Sequence, residues 1–267
     1  MEQPVAVITG AARGMGAALA LRMAGRGYRV ALVDIPDEEA SRTAVIPGPY
    51  RPATEADLGA ATAACGPDGE SWTADVRDGA AVTRVVDAVV DRHGRLDVAI
   101  AAAGAGGGGE PVWQTSDEVW AAMIDVNLTG AFHLARAAVP HLLARPEPRS
   151  GRFVAIASAA SHHGIPMMAA YTAAKHGVSG LVKSLAAELG PTGITANAVA
   201  PGSTATAMLE ASAEIYDIDD IAAFGRQARI RRLIEPDEIA AAVEWLAVDA
   251  PGALTGAIID VDGGFRV

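Results

Sequence analysis

An uninterrupted run of apolar and β-branched residues, Val5–Thr9, leads directly into TGAARGMG, and a helical pattern follows over Ala17–Gly25. This order of strand, glycine turn and helix constrains the chain more than any other stretch. A short run with no polar alternation predicts a strand buried on both faces, as in a parallel sheet. Gly10, Gly14 and Gly16 allow a close backbone approach, and the following helix offers N–H donors and a positive dipole. Such a turn suits the pyrophosphate of a dinucleotide. The spacing is Gly-x-x-x-Gly-x-Gly, with Arg13 and Met15 inside it. The alternative reading is a flexible turn without a ligand.

The next segments extend the same pattern. Arg29–Val33 predicts a second strand ending in Asp34, 18 residues after Gly16. A carboxylate there accepts hydrogen bonds from adenosine ribose hydroxyls and repels a 2′-phosphate. Arg13 acts in the opposite sense, since a guanidinium can meet that phosphate. The strand-end position of Asp34 favours NAD over NADP. Ile35–Ser71 then makes a crossover longer than a minimal one, leading to a third strand near Trp72–Asp75. Pro36, Pro47, Pro49 and Pro52 exclude a long helix, while Thr54 and Asp57 predict a short helix through Ala64 with Thr54 as its cap. This insertion, at about 36–71, reads either as solvated surface or as a flap over the adenine half of the cofactor.

Further strands are expected at Leu96–Ala101, Arg152–Ala157 and Ala257–Val261, with helices at Asp78–His93 and from Ser116 through Ala144. Asp75 and Val76 close the third strand, Asn127 interrupts the long helix, and Ser158 ends the fifth strand. The glycine run Gly106–Gly109 is irregular. Alternating strands and helices over 267 residues give one α/β domain, a doubly wound parallel sheet with helices on both faces.

Tyr171 and Lys175 sit four apart in AYTAAKHG, predicted as a short helix near 170–177. That spacing stacks both side chains on one helix face. An ammonium beside a phenol favours the phenolate and prepares it for proton exchange. Of 21 Lys and Arg residues only Lys175 and Lys183 are Lys, and Arg does not supply the same compact charge. A surface Tyr beside a surface Lys is the alternative.

A net charge of −11 argues against a nucleic-acid binder. The lone Cys65 excludes an internal disulfide and fits a reducing cytoplasm as an inert thiol. MEQPVAVITG reads as a first strand rather than a signal peptide, and no apolar run is long enough to span a membrane. His162 and His163 lack a third ligand at suitable spacing, so no metal site is expected.

Together TGAARGMG, Asp34, Asp75-Val76, Asn127, Ser158, Tyr171-x-x-x-Lys175 and NAVAPG (197–202) resemble the short-chain dehydrogenase/reductase family in their order, across nearly the whole chain. The 13-residue interval from Ser158 to Tyr171 is the family's usual one. The resemblance implies a single Rossmann-type domain, commonly a homotetramer, that interconverts alcohols and carbonyls with NAD(P). It implies that Tyr171 is the general acid/base and that Lys175 lowers its pKa and holds the nicotinamide ribose. Ser158 would bind the substrate oxygen, and Asn127 a water leading to Lys175. Pro201, Gly202, Thr204 and Thr206 would hold the nicotinamide end. Ala101-Ala102-Ala103-Gly104 departs from the family's Asn-Asn-Ala-Gly, which puts adenine-side contacts in doubt; Ala103 and Gly104 keep the place in the cofactor site.

The long crossover, with LLARPEPRSGRFVAIASAASHHG and PGSTATAML, resembles the mycofactocin-associated, carveol-dehydrogenase-like subgroup. That implies NAD held in place and reoxidised by an external acceptor. Two other functions stay open: an NADPH-linked carbonyl or acyl-thioester reductase, disfavoured by Asp34, and a non-catalytic dinucleotide sensor, which has no need of all four of Asn127, Ser158, Tyr171 and Lys175. The substrate pocket is expected between 104–110, 158–168 and 207–229, under a lid at about 204–230. Ile165, Met167, Met168, Met208 and Leu209 make it suited to a mainly apolar alcohol or ketone.

Overall fold

The computed structural model describes residues 3–35, 50 and 52–266. Among them are strands β1 (Val5–Thr9), β2 (Arg29–Asp34), β3 (Gly69–Thr73), β4 (Val98–Ala101), β5 (Arg152–Ile156), β6 (Thr195–Pro201) and β7 (Ile258–Val261). All pair in parallel in one sheet of order β3-β2-β1-β4-β5-β6-β7. The helices are α1 (Gly14–Gly25), α2 (Glu55–Ala64), α3 (Gly79–His93), α4 (Asp117–Ile124), α5 (Gly130–Leu143), α6 (Ala169–Leu189), α7 (Ala207–Ile215) and α8 (Pro236–Val248). No helix among the described residues is long and apolar enough to cross a membrane.

The period of two along β1 explains its unbroken apolar character. Val5 and Val7 enter one core with Val82 and Val86 of α3, Leu134 of α5 and Val182 of α6. Ala6 and Ile8 enter the other with Leu19 of α1 and Ile239 and Val243 of α8. Both faces of the strand are therefore buried, as expected of a doubly wound sheet. α1 and α8 also lock together ionically: Arg22 reaches Glu244 at 2.6 Å and Asp237 at 2.9 Å. β1 pairs with β2 on one side and β4 on the other, so the chain leaves β1 and β4 in opposite directions. The cleft opens at the carboxyl ends of these strands.

Several expected boundaries move. β3 begins at Gly69 and ends at Thr73, because its ladder with β2 runs from Val30↔Gly69 to Asp34↔Thr73. Asp75 and Val76 therefore follow the strand instead of ending it. β4 starts at Val98, since Asp97 turns its carboxylate onto the Val5 N–H at 2.9 Å. The helix of Tyr171 is 21 residues long, not a short one, because Val178, Val182, Leu185 and Leu189 extend its buried stripe. The long helix expected from Ser116 breaks into α4, a π-helical turn at Asp125–Thr129 and α5.

The second crossover divides in two. Thr54 and Asp57 form a capping box on α2, at 2.8 Å and 3.1 Å. Ala53, Leu58 and Cys65 are buried in the core beside α1, so this part is packed structure and not a solvated insertion. Pro36, Pro47 and Pro49 lie outside the described residues.

Candidate active site

The glycine turn after β1 lines a cleft of about 420 Å³, together with Asp34 from the end of β2 and residues after β3 and β4. Eleven residues expected to hold a cofactor line it: Gly10, Arg13, Gly14, Met15, Gly16, Asp34, Asp75, Val76, Ala103, Gly104 and Thr206. Gly10 has φ of +70°, and a Cβ there would lie 2.5 Å from Ala103 Cα. Only glycine lets the β1 and β4 turns close upon each other at that point. Asp34 accepts from the Ala12 N–H at 2.8 Å and the Ile35 N–H at 2.8 Å. Burial still pushes its carboxyl above the ordinary carboxylate range, against those two bonds and the nearby Arg13. Asp75 is gripped by Arg77, whose Nε lies 2.9 Å from Oδ2.

Two cleft residues escape a reading of the chain alone. Arg77 is one, although its spacing of two from Asp75 hints at the pair. Tyr50 is the other. Its hydroxyl donates to Gly104 O at 3.2 Å, and the Arg13 guanidinium stacks 5.3 Å from its ring centroid. The Pro-rich stretch flanking an aromatic was the available signal. The stacking also shows where Arg13 stands: against Tyr50.

Where the family carries paired amides, Thr9 makes the brace in this chain. Its hydroxyl contacts Ile100 O and the Ala103 N–H, both at a long 3.5 Å.

An adjoining cavity of about 470 Å³ shares Gly104, Thr206 and Met208 with the cleft. It is lined by Ser158, Tyr171, Lys175, Pro201, Gly202 and Thr204, bringing three of the four expected catalytic residues together with the nicotinamide-end residues; Asn127 lines neither cavity. Ile165, Met168, Met208 and Leu209 supply apolar wall, as do Tyr216, Phe224 and Phe265 from farther along the chain. Met167 does not line it: its φ is 58° and its carbonyl accepts from the Gly109 N–H at 2.9 Å. α7 and the 3-10 turn Ile221–Gln227 cover the cavity, and Tyr216 donates to Pro166 O at 2.6 Å across its rim. His162 faces Asp260 at 3.0 Å and His163 lies against Phe265; neither lines either cavity.

At the centre, Tyr171 and Lys175 project from the same face of α6. The Lys175 ammonium stands 5.7 Å from the Tyr171 ring centroid and donates to Ile156 O at 2.9 Å. Ser158 stands near enough to the Tyr171 hydroxyl to favour its phenolate. The phenol differs from expectation. Burial raises its pKa, only the nearby Ser158 hydroxyl opposes this, and Lys175 sits over the ring rather than at the oxygen. Burial likewise lowers Lys175 to about 8.

Asn127 is not a bare interruption of its helix. In the π turn its amide donates to Ala105 O and Met123 O, both at 3.0 Å, and accepts from the Ala105 N–H at 3.2 Å. It fixes the strand-to-helix loop that carries Gly104. A Cβ on Gly104 would lie 3.0 Å from Asn127 Oδ1 and 3.6 Å from Lys175 Nζ. The absent side chain thus leaves room beside a buried ammonium with three donors and one carbonyl partner. That space fits a hydroxyl-bearing cofactor.

The buried ammonium carries a cost that predicts a stability effect. Lys175 is 4% exposed, and its folded pKa lies below the unfolded value. The penalty is complete below about pH 8 and disappears as pH rises through the ordinary lysine range. Lys175→Met should therefore stabilise the fold at pH 7 by about 2 kcal/mol, after loss of the Ile156 bond is subtracted. Urea unfolding at pH 7 and pH 10 checks both the gain and its shrinkage; a variant less stable at pH 7 contradicts it.

A family model described as enoyl-(acyl carrier protein) reductase matches residues 10–266. Among curated relatives, a putative ketoacyl reductase of the monensin polyketide synthase from Streptomyces virginiae is 38% identical, over 97% of this chain and 96% of its own. The (−)-trans-carveol dehydrogenase of Rhodococcus erythropolis is 37% identical over 99% and 98%. A crystal structure of carveol dehydrogenase from Mycobacterium avium in complex with NAD superposes with a TM-score of 0.89 at 34% identity, covering 99% and 98% of the two chains. With its sheet order, glycine turn and Ser158, Tyr171 and Lys175 gathered in one cavity, this chain belongs to the short-chain dehydrogenase/reductase family.

Proposed function

We propose that the protein is an NAD-dependent dehydrogenase interconverting secondary alcohols and ketones. The observation that carries this reading is the cavity shared by Ser158, Tyr171 and Lys175, open to the glycine-lined cleft beside it. NAD, when bound, supplies the hydride acceptor. Gly10–Gly16 would hold its pyrophosphate, Asp34 its adenosine ribose, and Lys175 with Thr204 and Thr206 its nicotinamide end. Ser158 orients the substrate hydroxyl, and Tyr171 takes its proton. Asn127 keeps the Gly104 loop in place beside Lys175. The apolar wall of Ile165, Leu209 and Phe224 suits a cyclic or aliphatic alcohol, in keeping with the carveol-active relative.

Cofactor choice is directly testable. The protein should bind NAD well over NADP, and Asp34→Ala should narrow the gap by at least ~10-fold, the value of one charge-assisted hydrogen bond and its opposed phosphate. Calorimetric titration with both nucleotides reads it. A wild-type preference for NADP would favour the carbonyl or acyl-thioester reductase reading that the polyketide relative suggests. A non-catalytic sensor remains the reading if nucleotide binds and no secondary alcohol turns over.

Two finer features belong to the same proposal. NAD is held through many turnovers and reoxidised by an external acceptor of the mycofactocin type, supported by Tyr50 bridging the cleft. The working form is a cytoplasmic homotetramer, supported by the exposed Trp120 and Phe132 on α4 and α5 and Trp245 on α8.

A further inference from the structure

A second charged feature borders the substrate cavity. The segment 226–231 and the tail 263–266 run side by side, joined by Arg229 N to Gly264 O at 3.2 Å, Ile230 N to Gly263 O at 3.1 Å and Arg266 N to Gln227 O at 2.8 Å. Between them lies a basin of about 420 Å³ lined by Arg226, Ala228, Arg229, Arg231 and Arg266. Four exposed arginines thus line one concavity in a chain of net charge −11. Among the described residues none of the four has a carboxylate partner, whereas the next residue, Arg232, is paired with Glu238 at 2.6 Å.

The backbone is shaped for this. Arg231 adopts φ of 55°, a left-handed conformation disfavoured for a long side chain. Gly264, at φ of +75°, leaves the space taken by the Arg229 stem; a Cβ there would stand 2.7 Å from Arg229 Cδ. Bringing four like charges together is unfavourable unless an anion neutralises them. Guanidinium forks match the geometry of carboxylate and phosphate oxygens.

Arg266 lines both this basin and the cavity of Tyr171. The two therefore adjoin at Arg266, next to Phe265 on the wall of the cavity. We infer that the basin binds an anionic group, a carboxylate or phosphate, at the far end of the substrate, so that the substrate is an apolar secondary alcohol or ketone with an anionic tail. This rests on the dehydrogenase reading for the carbinol end only. A concave basin adjoining the substrate cavity favours a small anionic group over an acidic protein, which would meet a broad outer surface.

The test separates the two readings. Decanoate, which has no carbinol, is titrated calorimetrically into the NAD-containing wild type and into the triple variant Arg226→Gln, Arg229→Gln, Arg231→Gln. Its affinity should fall at least ~10-fold in the triple variant and stay within a few-fold, roughly, in the corresponding triple Lys variant. Steady-state kinetics then compare (ω−1)-hydroxy acids of eight, ten and twelve carbons with 2-alkanols of equal length. The wild type should prefer the hydroxy acid at one length, and the triple Gln variant should lose that preference, with added salt acting in the same direction. If no 2-alkanol or hydroxy acid turns over, the dehydrogenase reading fails while decanoate still reports on the basin. Equal decanoate affinity in wild type and triple Gln variant overturns the inference, as does a chain-length preference the arginines do not affect. Arginines that matter only for capture of an acidic protein also overturn it.

Discussion

Tyr171→Phe should lower turnover of a secondary alcohol by at least ~10², the lower range for loss of a general acid/base, with NAD affinity nearly unchanged. The substitution removes one oxygen. The ring remains in place on α6, packed beside Ala105 and Met123, with the Lys175 ammonium over its face. What disappears is the proposed proton acceptor, the hydroxyl whose phenolate Ser158 favours. Because burial raises the phenol and Ser158 alone counters it, Ser158→Ala should also depress turnover, through both substrate orientation and a still higher phenol pKa. Single-turnover measurement of hydride transfer, beside calorimetric NAD binding, distinguishes chemistry from binding. Turnover unaltered by Tyr171→Phe would remove this residue from the mechanism and leave the cavity without an evident base.

The parts of this molecule readable from the chain are those decided within a few residues. The four-residue spacing of Tyr171 and Lys175 places them on one face whatever the helix packs against. The Thr54 and Asp57 box starts its helix by its own hydrogen bonds. Unread parts depend on distant partners. The length of α6 follows from its fit against the sheet, and the end of β3 from its ladder with β2. Tyr50 meets Gly104, 54 positions away, and Phe265 and Arg266 return to the cavity only because β7 ends beside it. The electrostatics of the site depend on distant packing in the same way. A helix face predicts that Lys175 lies near Tyr171, but not that burial outweighs that proximity for both groups.

Tyr50 gives the other large expected effect, on the release of bound nucleotide. Tyr50 lines the cleft, and its hydroxyl holds Gly104 O at 3.2 Å on the opposite wall while Arg13 stacks on its ring. On the proposed reading a nucleotide lies along the cleft beneath that bridge, and would leave only when the bridge opens. Release then slows without any rise in equilibrium affinity, since opening limits entry and exit alike. The protein should purify with NAD(H), detectable by mass spectrometry after denaturation. It should reduce a dye acceptor with a secondary alcohol while generating little free NADH from added NAD. Removing the whole crossover is a poor test, because Ala53, Leu58 and Cys65 belong to the core. Tyr50→Ala removes only the bridge and should speed NADH release in stopped-flow displacement by at least ~10-fold, as both the hydrogen bond and the stacked cation are lost. Tyr50→Phe, which keeps the stacking, should fall between the two. In both variants hydride transfer in a single turnover should stay near wild type, because Tyr171, Lys175 and Ser158 lie in the neighbouring cavity. NADH leaving the intact protein faster than the enzyme turns over would mean that the bridge does not gate the cleft, and the case for reoxidation of a retained cofactor would go with it.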